Sequence, residues 1–202
     1  MSLLLRGYRA ISSGVAPLAP WLLARSSPSA EPVQPAGALN LLVHGASAGE
    51  IAAGLSWRST LPLHRQPLKL VFSTGTSAGL HSGGDLLRPW DSPGAVSRFF
   101  DRVRPTALIL VEADLWPCLL LEAQRRGIPI GVIGARMTAR AASAWRITGS
   151  AGRTVLGSVQ AWACADASSL ERLHSLGVDR DALLQTGWLK WSSDQESKSE
   201  GR

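Results

Sequence analysis

The chain has only two cysteines in 202 residues, Cys118 and Cys164. No pair or cluster has the spacing of metal ligands, and both read as buried thiols of a reducing compartment. No apolar run is long enough to cross a bilayer, since the stretch over residues 15–24 is short and broken by Pro17 and Pro20. Residues 1–30 hold no acid, only Arg6, Arg9 and Arg25 as charges. A secretory signal and a mitochondrial transit peptide both share parts of this pattern, but it best fits an interfacial segment on a membrane. No G-x-G-x-x-G follows the first predicted strand, which argues against a nicotinamide cofactor. The eight tryptophans are not interleaved with basic residues, so a single-strand nucleic-acid platform is not indicated.

What is present is an ordinary globular composition, 45% apolar and 18% charged, with a formal charge of +6 that favours anionic partners. The chain is organised around Leu41-Leu42-Val43-His44, an apolar run that breaks into Gly45-Ala46-Ser47-Ala48-Gly49-Glu50. This reads as strand, tight turn and helix, with Ser47 as N-cap and Glu50 at capping-box spacing. Ile51, Ala52 and Leu55 supply the helix's apolar face. Ligands of open parallel sheets bind at the carboxyl ends of strands, where Glu50 could act as a base kept ionised by helix-start amides.

The pattern then repeats. Residues 68–72 form a second strand, followed by the polar turn Ser73-Thr74-Gly75-Thr76-Ser77-Ala78-Gly79, which lacks the Lys and the spacing of a P-loop. A short third strand lies within 86–91, and Val96, Phe99, Phe100 and Val103 make a helix stripe. Residues 107–111 are a strand buried on both faces, ending in Glu112-Ala113-Asp114. A helix from Pro117 to Gly127, a strand over 128–133 with Arg136 past its tip, one helix over 139–156, a strand over 161–165, a helix over 168–176 and a strand over 183–186 complete the alternation. The expected fold is a Rossmann-like parallel sheet with helices on both faces. Residues 1–25 are assigned to the membrane-associating segment, 26–38 to a proline-rich linker, 39–191 to the domain and 192–202 to a disordered polar tail.

Gly45-Ala46-Ser47-Ala48-Gly49 also matches the nucleophile elbow G-x-S-x-G, making a serine hydrolase using Ser47 a rival. It lacks an upstream strand for the oxyanion hole. His64, His81 and His174 are poorly placed as partners. Glu112 and Asp114 could orient a hydroxyl or share a proton, or merely oppose a helix dipole.

Taken together, His44-Gly45-Ala46-Ser47-Ala48-Gly49-Glu50, Thr74-Gly75-Thr76, Glu112-Ala113-Asp114-Leu115-Trp116-Pro117 and Ala135-Arg136-Met137-Thr138-Ala139-Arg140 resemble, in order, the signatures of the 3-deoxy-D-manno-octulosonic acid (Kdo) transferases. Gly187-Trp188-Leu189-Lys190 resembles the segment that ends the family's first domain. The resemblance implies the amino-terminal half of a GT-B glycosyltransferase in lipopolysaccharide biosynthesis. Kdo would pass from CMP-Kdo to a lipid A precursor at the cytoplasmic face of a bacterial inner membrane, or alternatively in a mitochondrion. It implies Glu50 as general base, Ser47, Gly49, Thr74, Glu112, Asp114 and Arg136 around the acceptor, and Lys190 as a further site residue. It implies no bound cofactor or metal and an anionic membrane surface as partner.

The chain departs from the family at Gly45, where Ser is frequent, at Asp114, where Glu is usual, at Trp188, where a small polar residue is common, and at Ser192, where Asp is expected. It ends where the nucleotide-binding domain should begin. The expected alternatives to a split enzyme are therefore a truncated product or a lipid A precursor-binding module without catalysis.

Overall fold

The computed structural model describes residues 2–15, 39–58 and 68–188. The expected linker (26–38) and polar tail (192–202), together with Lys190, lie outside the described residues. In chain order the elements are α1 (Leu3–Val15), β1 (Leu39–Gly45), α2 (Ala48–Arg58), β2 (Leu68–Thr74), α3 (Ser77–His81), β3 (Leu86–Leu87), α4 (Pro93–Val103), β4 (Ala107–Val111), α5 (Pro117–Arg125), β5 (Ile130–Ala135), α6 (Ala139–Ile147), α7 (Ser150–Leu156), β6 (Ala161–Cys164), α8 (Ala167–Ser175) and β7 (Leu183–Gln185). The strands form one sheet in the order β3-β2-β1-β4-β5-β6-β7, every pair parallel. Parallel neighbours need crossovers, and helices supply them on both faces. All carboxyl-terminal strand ends therefore share one edge.

The two faces differ in size. Leu42, Leu108, Leu110, Ile130 and Val132 point into the larger core, with the stripe Val96, Phe99, Phe100 and Val103 of α4 and Leu119, Leu120 and Ala123 of α5. Val43, Phe72 and Val111 point the other way, against Ile51 and Ala53 of α2. Alternation along β1 thus sends Leu42 and His44 to one face and Val43 to the other. The buried face of α2 is Ile51, Ala53 and Gly54, whereas Ala52, expected inside, is exposed. Gly54 lets the helix settle close to the sheet, since a Cβ there would lie 3.3 Å from Phe72 and 3.4 Å from Val43 and Val111.

Two expectations are corrected. The single helix over 139–156 is two, because Gly149 adopts φ 57° between α6 and α7. Gly152 lets α7 begin tight against α6, as its Cβ would collide with the Thr148 hydroxyl. The fifth strand runs two residues later than the apolar run implies, to Ala135, through a register shift between Val132 and Ala135 where Gly134 has φ 62°. Both cysteines are free and buried, and burial pushes Cys118 up to about 12 and Cys164 up to about 11.

Helix α1, the described part of the amino-terminal segment, docks on the domain. Leu5 enters the core, Tyr8 donates to Asp91 at 2.7 Å, and the Trp90 indole donates to the Ser12 carbonyl at 3.0 Å. Its outer face carries Leu3 (84% exposed), Leu4 (61%) and Ile11 (71%). Among the described residues, no helix is long and apolar enough to cross a membrane.

Candidate active site

The tips of β2, β1 and β4 adjoin on the shared edge, and the turn after β1 places Glu50 among them. Ser47 is the N-cap: its hydroxyl accepts from the Glu50 amide at 3.3 Å and donates to Glu50 Oε1 at 3.0 Å. Glu50 Oε2 accepts from the Ala46 amide at 2.7 Å, one residue before the cap that a standard capping box would reach. Both carboxylate oxygens are thereby fixed by their own turn. Gly45 permits it, because a Cβ there would lie 2.9 Å from that of Glu50.

The Glu50 carboxyl is half-buried, and its pKa lies above the ordinary glutamate value. Burial is the main cause, and the bonds from Ala46 and Ser47 oppose it without cancelling it. Glu112 and Asp114 add negative charge and raise it further. The helix-start amide therefore favours the ionised form as expected, but desolvation is the larger effect.

The β4 tip is sharply turned. Glu112 sits at φ 64°, a left-handed conformation that costs a non-glycine residue about 1–2 kcal/mol. Such strain persists only where surrounding packing holds it, and it concentrates at functional sites. The turn brings Asp114 back over the strands, where its Oδ2 accepts from the Trp116 indole at 2.6 Å and lies 3.1 Å from His44 Nε2. The ring of His44 is fully buried, with Nδ1 2.9 Å from the Ser73 hydroxyl. Nδ1 also lies 3.1 Å from the Ser73 carbonyl, an oxygen that can only accept. A polar chain thus joins the tips of β2, β1 and β4. Against Trp116, Arg88 stacks with its guanidinium carbon 3.6 Å from the ring centroid.

Burial acts to raise the Asp114 carboxyl, but the bonds from His44 and Trp116 and the charges of His44 and Arg88 outweigh it, holding it below the ordinary aspartate value. A carboxyl with a depressed folded pKa contributes stability that is complete above its unfolded value of about 3.9 and is lost as pH falls through the folded value. Urea unfolding between pH 6 and 3 is expected to show this loss in the wild type and a shallower dependence in Asp114→Asn. An equal slope in both would remove the assignment.

The remaining expected residues are spread along the edge. Gly49 is exposed in the first turn of α2. Thr74 is fully buried beneath the Glu50 turn, its hydroxyl 3.4 Å from the Ala46 carbonyl, with Gly79 packed against it. Arg136 is exposed past the end of β5, two strands from β1, and lies over the Trp188 ring at 4.6 Å. His44, Ser73, Arg88 and Trp116 join the site without having been singled out. A histidine closing an apolar strand was the available signal for His44, and nothing local pointed to Arg88.

Ser47 has no histidine partner among the described residues. His44 is committed to Ser73 and Asp114, His81 Nδ1 lies 2.7 Å from the Ser77 carbonyl, and His174 Nδ1 lies 3.2 Å from the Val178 carbonyl. Among the described residues the hydrolase alternative therefore has no base, and His64 lies outside them.

The fold and this edge define a Rossmann-like domain, a parallel sheet of the kind found in GT-B proteins. A solved UDP-GlcNAc 2-epimerase from Neisseria meningitidis, bound to UDP-GlcNAc, superposes with a TM-score of 0.56 at 14% identity, covering 80% of this chain and 50% of that one. At that identity the likeness concerns the fold alone. Residues 21–193 match the family model described as 3-deoxy-D-manno-octulosonic-acid transferase (kdotransferase), and the chain belongs to that family. It is 29% identical over 159 residues to the 3-deoxy-D-manno-octulosonic acid transferase of Haemophilus influenzae, covering 75% of this chain and 37% of that protein. Over 164 residues it is also 29% identical to an Arabidopsis thaliana protein whose name carries the same transferase and a mitochondrial location, covering 69% of this chain and 36% of the relative. The chain thus spans little more than a third of the length of these relatives.

Proposed function

We propose that this chain supplies the acceptor-binding half of a Kdo transferase, with Glu50 as the general base. The observation that carries this reading is the Glu50 carboxylate itself: oriented through both oxygens, raised in pKa by burial, and standing at the sheet edge that faces a ligand in this fold class. Glu50 takes the proton of an acceptor sugar hydroxyl. The hydroxyl oxygen then bonds to the anomeric carbon of Kdo as the bond to CMP breaks, inverting that centre, and CMP leaves with the electron pair. The donor, CMP-Kdo, is held by a nucleotide-binding domain facing this edge, and the acceptor is a lipid A precursor.

Asp114, held by His44 and Trp116, shapes the acceptor side and keeps the Glu50 pKa up through its charge. Arg136, oriented on Trp188, makes a charge-assisted pair with an acceptor phosphate or the Kdo carboxylate, and Lys190 adds a further cation. The outer face of α1, with Leu3, Leu4 and Ile11 beside Arg6, lies on an anionic membrane, the cytoplasmic face of a bacterial inner membrane or its mitochondrial counterpart.

Kdo transfer from CMP-Kdo to a lipid A precursor is measured with this chain alone and after adding a separately expressed nucleotide-binding half. Transfer only in the second condition is expected. Acceptor binding without transfer in both conditions would replace the transferase by a precursor-binding module.

A further inference from the structure

Beyond the β3 end of the same edge, a groove of about 370 Å³ lies between the segment after β3 and helix α4. Arg88, Arg98 and Arg102 line it and no carboxylate does. Arg98 and Arg102 stand one helical turn apart on α4, on the same face of the helix and both on the groove. Asp101, the acid between them in sequence, is engaged by Arg126 at 2.8 Å. Arg88 donates to the Pro89 carbonyl, while its Nε–H is buried without an acceptor. Burial lowers the Arg88 guanidinium, against the pull of Asp114 and Asp91. The rest of the lining is apolar, chiefly Leu87, Ala95 and Phe99.

Three arginines lining one groove with an apolar floor suit one kind of ligand. Their planar forks match the oxygens of a phosphate, and the floor matches a hydrocarbon chain. We propose that this groove is a binding site for the phosphate monoester of an amphiphile, with the phosphate between Arg98 and Arg102, Arg88 at its inner end, and the alkyl part on Leu87, Ala95 and Phe99. The β3 tip is two strands, about 10 Å, from the tip of β1, which carries the Glu50 turn. In the transferase reading, a phosphate of the acceptor sits here while a neighbouring hydroxyl meets Glu50. That placement rests on the transferase reading, whereas the binding chemistry does not.

The test is calorimetric titration of the 202-residue chain with dodecyl phosphate below its micelle concentration, with inorganic phosphate and dodecyl maltoside as comparisons. Saturable binding of dodecyl phosphate is expected, with both comparisons weaker by at least about tenfold, and at least a tenfold loss in Arg98→Gln/Arg102→Gln. Arg98 is exposed and Arg102 partly so, and circular dichroism verifies that α4 persists. If the double variant loses helix, Arg102→Glu alone must produce the same loss. Unchanged affinity in the folded variant overturns the site. Equal affinity for inorganic phosphate overturns the amphiphile, and equal affinity for dodecyl maltoside overturns the anion. Arginine-dependent dodecyl phosphate binding without any Kdo transfer in the reconstituted assay would keep the groove and remove only the transferase reading.

Discussion

Glu50→Gln, in the chain assembled with a nucleotide-binding half, is expected to lower Kdo transfer by about 10²–10⁴, the usual contribution of a positioned general base. The amide keeps the size of the side chain but cannot accept the hydroxyl proton. Acceptor affinity should change little, because the groups around Glu50 that face the edge remain in place. The wild-type pH profile supplies an independent mark. Transfer requires the ionised form, and burial raises the Glu50 pKa, so the acidic limb should lie above the ordinary glutamate value of 4.5 and vanish in the variant. The same shift has a cost in stability. A carboxyl raised on folding favours the native state fully only below its unfolded pKa, and that contribution is lost as pH rises through the folded value. Transfer at the wild-type rate by Glu50→Gln would end the assignment of the base.

Asp91→Ala should destabilise the fold by about 3–4 kcal/mol, the largest single effect expected outside the apolar core. Asp91 is buried and accepts from the amides of Cys118 and Leu119 at 2.9 Å each, as well as from Tyr8. The carboxylate therefore satisfies two of the free amides at the start of α5 and, through Tyr8, fastens α1 to the domain. Removing it leaves two buried donors without partners, each costing about 1–3 kcal/mol. Tyr8→Phe breaks only the link to α1 and should cost about 1 kcal/mol. Urea midpoints of the two variants separate these contributions. A loss for Asp91→Ala no larger than that of Tyr8→Phe would show that the amides of α5 find other acceptors.

The Glu50 turn could be read directly because its interactions are local. A strand's apolar run, a Ser three residues before a Glu, and glycines at the turn are short-range features, and the bonds among Ala46, Ser47 and Glu50 span at most four residues. The parallel sheet was equally legible, since regular alternation of strand and helix leaves few other topologies. It followed that Glu50, Thr74, Glu112 and Arg136 lie at strand tips on one edge. The termination of α5 at Gly127, with positive φ, was local in the same sense.

Which tips touch was a matter of strand order and side-chain direction. His44 meets Asp114 across 70 positions because β1 and β4 are neighbours and because Glu112 turns the chain back at φ 64°. Arg88 reaches Trp116, and Asp91 reaches both α1 and α5, through packing that no sequence period encodes. Arg136 belongs to the same edge, yet β4 separates its strand from β1. The sequence by itself thus determined the parallel sheet, the edge that carries its strand tips and the capped glutamate, because these depend on periodicity and contacts within a turn. The tertiary structure alone decided the His44–Asp114–Trp116 assembly, the pKa of Glu50 and the arginine groove, because burial and charge proximity arise only when distant segments pack together.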